Sequence, residues 1–304
     1  MLKSIQYNDI AWVDIKNPKQ TDIRYLRENF DFHELVLEEL FSHGHRPKVE
    51  HHDSYLFLVL YYPSFDKKSK GTLPKELEII ATKTHLITAH TGDILPLAAL
   101  FEKLQTHEES RREYMSETIG HLLFWIIRGI LENTLTKLEH IEQKVEYIED
   151  KIFRGEERKM VFEISVVKRG IIDFRRVLAP QTSVIESLAL EGTQFFGPEL
   201  EPHFQDLRGT FGMIWNDIEE YRETIYALSQ TNESLLSTKT NEIIKVLTVF
   251  SVASLPLSLL VNIWGMNMKG MPLTESGVGF WIILGAMGVI LVAMFVYFKK
   301  KKWL

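Results

Sequence analysis

Five uncharged polar residues, Asn241, Thr248, Ser251, Ser258 and Asn262, punctuate an apolar run and recur at intervals of three, four or seven. On a helix that spacing gathers them towards one side. The run around them, Val246 to Ile263, is apolar or small and uncharged, with charges ending at Lys245 and resuming at Lys269. Roughly eighteen such residues suggest a membrane-spanning helix. Polar groups inside a bilayer are costly unless they face protein or water, so this side lines either a helix seam or an aqueous path. No carboxylate lies within the span, so an ion there is held weakly. The tripeptide Gly265-Met266-Asn267 closes the run.

A second span is expected over Phe280 to Phe298, bounded by Lys299, Lys300, Lys301 and Lys302, after a glycine-bearing loop from Gly265 to Gly279. Four lysines behind the second span, against Lys269 in the loop, place the C-terminus inside. Two spans then place the N-terminal part inside as well. Among the 304 residues, 45% are hydrophobic and 25% charged, an average that hides a split, with the charge concentrated before Asn241. Cysteine is absent, which excludes disulfides and thiolate metal sites. The N-terminus lacks the basic-then-apolar layout of a signal peptide. A net charge of −6 argues against a nucleic-acid partner, and the acidic residues could instead concentrate cations. No P-loop, nucleophile motif or glycine-rich nucleotide fingerprint is found, so an enzyme is not expected.

The elements ahead of the spans read as an α+β domain over residues 1–110, one sheet flanked by helices. Strands are expected at Ile10–Ile15, Tyr55–Tyr61, Leu77–Thr82 and His85–His90, the last two as a hairpin. Helical spacing covers Thr21–Asn29 and His33–Phe41. A long helical pair follows over 111–202. Ile119–Ile130 reads as a buried core helix, too short and too charged for a third span. Leu135, Leu138, Ile141, Val145, Ile148 and Ile152 then form a narrow seam. Arg154-Gly155 is a turn, and Met160, Ile164, Val167, Ile171, Phe174 and Val177 mark the returning helix. Glu139, Glu142, Glu146, Glu149 and Asp150 are expected outside the seam. Gly192–Pro202 reads as a break, after which one helix runs from about His203, as a stalk to residue 245 and a first span over 246–264. The loop is then 265–278, the second span 279–298 and the basic tail 299–304.

A GMN tripeptide at the end of an apolar helix, with one more span and a basic tail behind it, resembles the signature of the CorA family of divalent-cation transporters. Thr240–Thr248 (TNEIIKVLT), Pro256, the ending KKKKWL and Arg46-Pro47-Lys48-Val49-Glu50 are similar to that family too, so the resemblance spans most of the chain. It implies a funnel-shaped homo-oligomer, a homopentamer by the family rule, embedded in the lipid of the cell membrane. It implies uptake of Mg2+, with Co2+ and Ni2+ as further cargo. Gly265, Met266 and Asn267 would form the pore mouth, with the Asn267 carbonyl meeting the hydrated ion. Asn241, Ile244, Leu247, Thr248, Ser251, Leu255, Ser258 and Asn262 would line the pore, and its apolar rings could gate by dewetting.

The resemblance further implies a regulatory divalent ion between neighbouring copies, at Glu39 and Asp206, with Glu38 as the neighbouring choice. Glu39 stands where aspartate is common in the family, and Gln230 where some relatives carry an acid. The loop Asn267-Met268-Lys269-Gly270-Met271-Pro272 lacks the acid that many magnesium-type relatives place after the proline, and it resembles the zinc-transporting ZntB branch. Zn2+ transport is therefore the alternative, and a non-conducting, membrane-anchored metal sensor is the alternative from another class. His43, His45, His51 and His52 read as solvated loop histidines, with a zinc site as the competing reading.

Overall fold

The computed structural model describes residues 2–42, 44–66, 71–266, 272 and 277–303. By contacts the chain divides into two units, Met1–Ser229 and Gln230–Leu304.

The first unit is built on strands β1 (Leu2–Tyr7), β2 (Ile10–Lys16), β3 (Lys48–His51), β4 (Leu56–Asp66), β5 (Gly71–Ala81) and β6 (His85–His90). They form one sheet in the order β1-β2-β6-β5-β4-β3. Only β2 and β6 pair in parallel; the other neighbours are antiparallel. All four expected strands are present. The sequence reading missed β1 and β3, the latter being the RPKVE segment, and placed the start of β5 too late.

Successive strand residues point to opposite faces, and the registers divide the sheet accordingly. One face carries Val13, Ile15, Phe57, Val59, Ile80, Ile87 and Ala89, packed with helices α1 (Gln20–Asn29) and α2 (Glu34–Phe41) through Ile23, Leu26, Val36, Leu37 and Leu40. The other face buries Trp12, Leu56, Leu58, Leu60, Leu77, Ile79 and Leu86. There Trp12 meets Phe101 of helix α3 (Leu95–Thr106) edge-on at 4.9 Å. Thr88 ties this side together, accepting from Trp12 Nε1 at 3.0 Å and donating to Asp14 at 2.7 Å.

Helix α4 (Glu108–Met115) leads into α5, which runs unbroken from Ile119 to Phe153. The apolar segment from Ile119 to Ile130 is buried, as expected, but it is continuous with the seam rather than a separate helix. Gly155, at φ 86°, makes the turn into α6 (Glu157–Leu178). Every expected seam residue on α6 is buried, whereas the five acids on α5 are exposed. Helix α7 (Thr182–Phe196) passes straight through Gly192, so the break expected over Gly192–Pro202 is present but begins later than its first residue. A Cβ there would lie 2.8 Å from the Phe204 ring, so this glycine serves close approach rather than termination. The break falls at Gly197, which takes φ 123°. Helix α8 then runs from Glu201 to Gly265, and α9 from Gly279 to Lys300.

Candidate functional site

Among the described residues, α8 and α9 are the two helices long and apolar enough to cross a membrane. None of the most apolar window of α8 is buried, and only 6% of that of α9. A soluble core helix would bury most of such a stretch. Pro256 sits inside α8 without breaking it, although it removes one backbone donor.

Over the apolar part of α8 the partly buried apolar residues are Val249, Ala253, Pro256, Leu257, Leu260 and Trp264, and on α9 they are Ile283, Met287, Ile290 and Met294, with Phe298 buried. Those intervals of three and four mark a helix–helix seam within the Gln230–Leu304 unit. Lys245 Nζ donates to the Lys302 carbonyl at 2.9 Å, and Trp264 Nε1 to the Pro272 carbonyl at 3.3 Å. At about 100° per residue, Asn241, Ile244, Leu247, Thr248, Ser251, Leu255, Ser258 and Asn262 fall on the opposite side of α8. All of them are exposed except Thr248, which is half-buried. The Thr248 hydroxyl donates to the Ile244 carbonyl at 2.7 Å. With its proton spent on the backbone, that oxygen is left with lone pairs only, able to accept from water. Gly265 is the last residue of α8, and the Met266 N–H reaches back to Ile263 at 3.4 Å. Asn267 lies outside the described residues.

In the first unit, the sheet face under α1 and α2 turns acidic at one end. Register sets Lys48, Val59, Glu78 and Ala89 side by side across four strands, with Glu50 beside Phe57 and Glu76 beside Tyr61. Lys48 Nζ lies 2.9 Å from Glu39 and 2.8 Å from Glu50. Burial pulls that ammonium down, but its bonds to Glu50 and Glu39 outweigh this and hold it above the usual lysine range. Glu76 accepts the backbone N–H groups of Gly44 at 2.6 Å and His45 at 2.9 Å. Glu78 is 1% exposed, and its Oε1 has no hydrogen-bond partner. Burial first, then the neighbouring Glu76 and Glu39, push its carboxyl up to about 9.

The expected regulatory pair is placed as follows. Glu39 turns into this cluster and pairs with Lys48, whereas Glu38 is exposed. Asp206 is half-exposed at the start of α8 and pairs with Arg128 at 3.1 Å. Within one chain, therefore, Glu39 and Asp206 each have a cation of their own. The three described histidines of that stretch, His45, His51 and His52, have separate partners. His51 bonds Glu191 at 2.9 Å, and His52 stacks on Tyr55 with ring centroids 4.3 Å apart. His45 bonds Ser42, and His43 lies outside the described residues. The cluster of Glu76 and Glu78 was missed from sequence. The signal was two acids at alternate positions leading into Ile80, which puts all three on one buried strand face.

The family described as "CorA-like Mg2+ transporter protein" matches residues 7–300. The Cobalt/magnesium transport protein CorA of Thermotoga maritima is 30% identical over 297 residues, 97% of this chain and 83% of its own length. The complete structure of the CorA magnesium transporter from Methanocaldococcus jannaschii superposes with a TM-score of 0.82 at 22% identity, covering 99% of this chain and 94% of that one. The cytoplasmic domain of ZntB from Vibrio parahaemolyticus does so at 0.63 and 15% identity, over 77% of this chain and 90% of its own. At such identities the two structural likenesses show the fold alone.

Proposed function

The chain belongs to the CorA-like Mg2+ transporter family, and we propose from that premise that it carries divalent cations through a membrane along the polar stripe of α8. Mg2+ is the principal cargo, with Co2+ and Ni2+ beside it. The observation that carries this reading is the placement of Asn241, Ser251, Ser258 and Asn262 on an exposed stripe opposite the seam with α9. Mg2+ gives up its water reluctantly, so neutral oxygens that engage its hydration shell pass it without trapping it. Asn267 would complete the stripe at the mouth, on the side away from the basic tail. One such helix cannot enclose a path, whereas several copies around an axis can, five by the family rule. The lysine bias of the tail puts both termini in the cytoplasm.

Regulation by internal divalent ions is part of the proposal. Asp206 of one copy would share an ion with Glu39 or Glu38 of the next. The inward turn of Glu39 towards Lys48 favours Glu38, and Arg128 must yield Asp206 for an ion to bind.

Flux of Mg2+, Co2+, Ni2+ and Zn2+ into liposomes holding the pure protein tests the reading. Potential-driven Mg2+ entry is expected. Entry of Zn2+ but not Mg2+ would transfer the chain to the zinc-transport reading. Absence of all divalent flux from correctly inserted protein would leave a membrane-anchored sensor.

A further inference from the structure

Within the first unit, the polar end of the α1/α2 sheet face gathers four carboxyl groups, two of them buried. Lys48 pairs with Glu39 and Glu50, and His52 Nε2 lies 3.8 Å from Glu50, while Glu76 and Glu78 have no cation in their described ion pairs. His45 adds an imidazole from the segment that leads into β3. One ligand atom each from His45, Glu76 and Glu78 lie within 4.8 Å of one another, with both glutamates buried. Atoms bound to one ion at about 2.0–2.2 Å sit roughly 3 to 4.4 Å apart, so small side-chain adjustments would close the set around a cation.

Three features separate this group from an ordinary patch of acids. Glu78 is buried to 1% exposure with Oε1 unpartnered, and a buried polar atom left without a partner is costly. Glu76 is fixed by two backbone N–H donors and still has free lone pairs. The imidazole of His45 is held in one tautomer. Ser42 Oγ donates to the Glu38 carbonyl at 2.9 Å. Its own hydroxyl proton is thus committed, and at 3.1 Å from His45 Nε2 it can only accept. The Ser42 carbonyl, 2.9 Å from the same nitrogen, also accepts. Nε2 therefore carries the proton and Nδ1 the lone pair, the arrangement in which an outer hydrogen bond prepares a histidine for a metal. Tyr61 donates to the His45 carbonyl at 2.6 Å and steadies the same segment.

We propose that His45, Glu76 and Glu78 form an intrachain binding site for a first-row divalent transition-metal ion. One nitrogen with carboxylate oxygens suits Co2+, Zn2+ or Ni2+ better than Mg2+, which prefers oxygen and keeps its waters. The site uses none of the residues of the α8 stripe and neither Asp206 nor Asn267. It is also complete within one chain. Its occupancy would knit the α2–β3 segment to β5, and so report transition-metal supply on the sheet of the first unit.

The test is titration of the pure full chain with Co2+ in a large excess of Mg2+, read by the visible absorption of bound cobalt. One Co2+ per chain is expected, with bands of mixed nitrogen and oxygen ligation. Glu78→Gln and Glu76→Gln should each weaken it at least about tenfold, while Asp206→Asn should leave it unchanged. His45→Gln, at a partly exposed side chain, keeps the test decisive should the buried variants fail to fold. It should move the bands to those of oxygen ligation or abolish them. The proposal is overturned if the wild type takes up no Co2+ against Mg2+, or if His45→Gln binds with unchanged affinity and spectrum. Neither result depends on flux, so the transport reading stands or falls separately.

Discussion

The stripe on α8 and the cluster on the sheet both gather polar oxygen atoms, yet they are built on opposite terms. The stripe is neutral, spread along several helical turns and exposed in the single chain. The cluster is charged, compact and buried, with Glu78 driven towards its neutral form by its surroundings. Weak, serial contacts let an ion leave as readily as it enters, which conduction requires. Converging carboxylates and an imidazole do the reverse. On the proposed readings the same chain would separate passage from retention by choosing amides and hydroxyls in one place and ionisable groups in the other.

The largest expected effect comes from removing a neutral oxygen where, on the proposed reading, each ion would pass. Asn267→Ala should reduce Mg2+ flux in liposomes to background while the thermal midpoint of the purified protein stays put. Wild-type flux from a correctly inserted variant would take Asn267 out of the pathway. The opposite manipulation brings cluster chemistry into the stripe. Ser251→Asp would set a carboxylate on every copy, and each gain of about 1.4 kcal/mol in ion binding slows exit about tenfold. Flux should fall by about that factor while half-saturation moves to lower Mg2+. A variant with faster flux and weaker saturation would contradict the weak-binding account.

The two sites were not equally legible in the sequence. The stripe could be read because its helix is long and its polar residues follow the helical period against an apolar background, a pattern that one sequence displays in full. The same holds for α6, where all six seam residues are buried as spaced. The cluster could not be read this way. It depends on strand register, which sets Lys48 across Val59 from Glu78, residues 30 positions apart in the chain. It also depends on a loop that carries His45 onto Glu76. β1 was missed because Leu2–Tyr7 alternates only weakly, with Ile5 its one buried residue. The break over Gly192–Pro202 was placed a few residues early because a glycine that admits a neighbouring ring and a glycine that ends a helix look alike until Phe204 is placed.

A smaller effect is expected where a carboxylate is exposed and already paired. Asp206→Asn should raise the internal Mg2+ needed to inhibit flux by about fivefold, near the lower end of typical coupling between sites, because Arg128 already offsets its charge. Glu38→Gln and Glu39→Gln then decide which glutamate answers it. The exposed Glu38 should shift inhibition and the inward Glu39 should not. If all three variants are inhibited like the wild type, the acidic face of α5 around Glu142, Glu146 and Glu149 becomes the next candidate.

The smallest effect concerns a half-buried charge of opposite sign on the other face of the sheet, where no carboxylate answers it in the described contacts. Lys137 of α5 sits 3.7 Å over the Tyr62 ring and donates to the Pro63 carbonyl. Burial, with help from Lys75, pulls its ammonium down to about 8. The folded pKa lies below the unfolded value, so between about 8 and 10.5 the unfolded chain holds more of this proton. Stability should therefore rise with pH across that window, by at most about 1.4 kcal/mol per unit. Below pH 8 the cost of the buried charge is constant. Lys137→Met keeps the apolar stem and removes the charge, at the loss of the contact with the Tyr62 ring. It should flatten the pH dependence and add about 1 kcal/mol at neutral pH, the scale of a modest burial penalty. Melting curves of the full chain and the variant from pH 7.5 to 10 make the comparison, and other titrating groups cancel in the difference. Parallel curves would show that Lys137 reaches water in the folded state and that its half-burial carries no charge penalty.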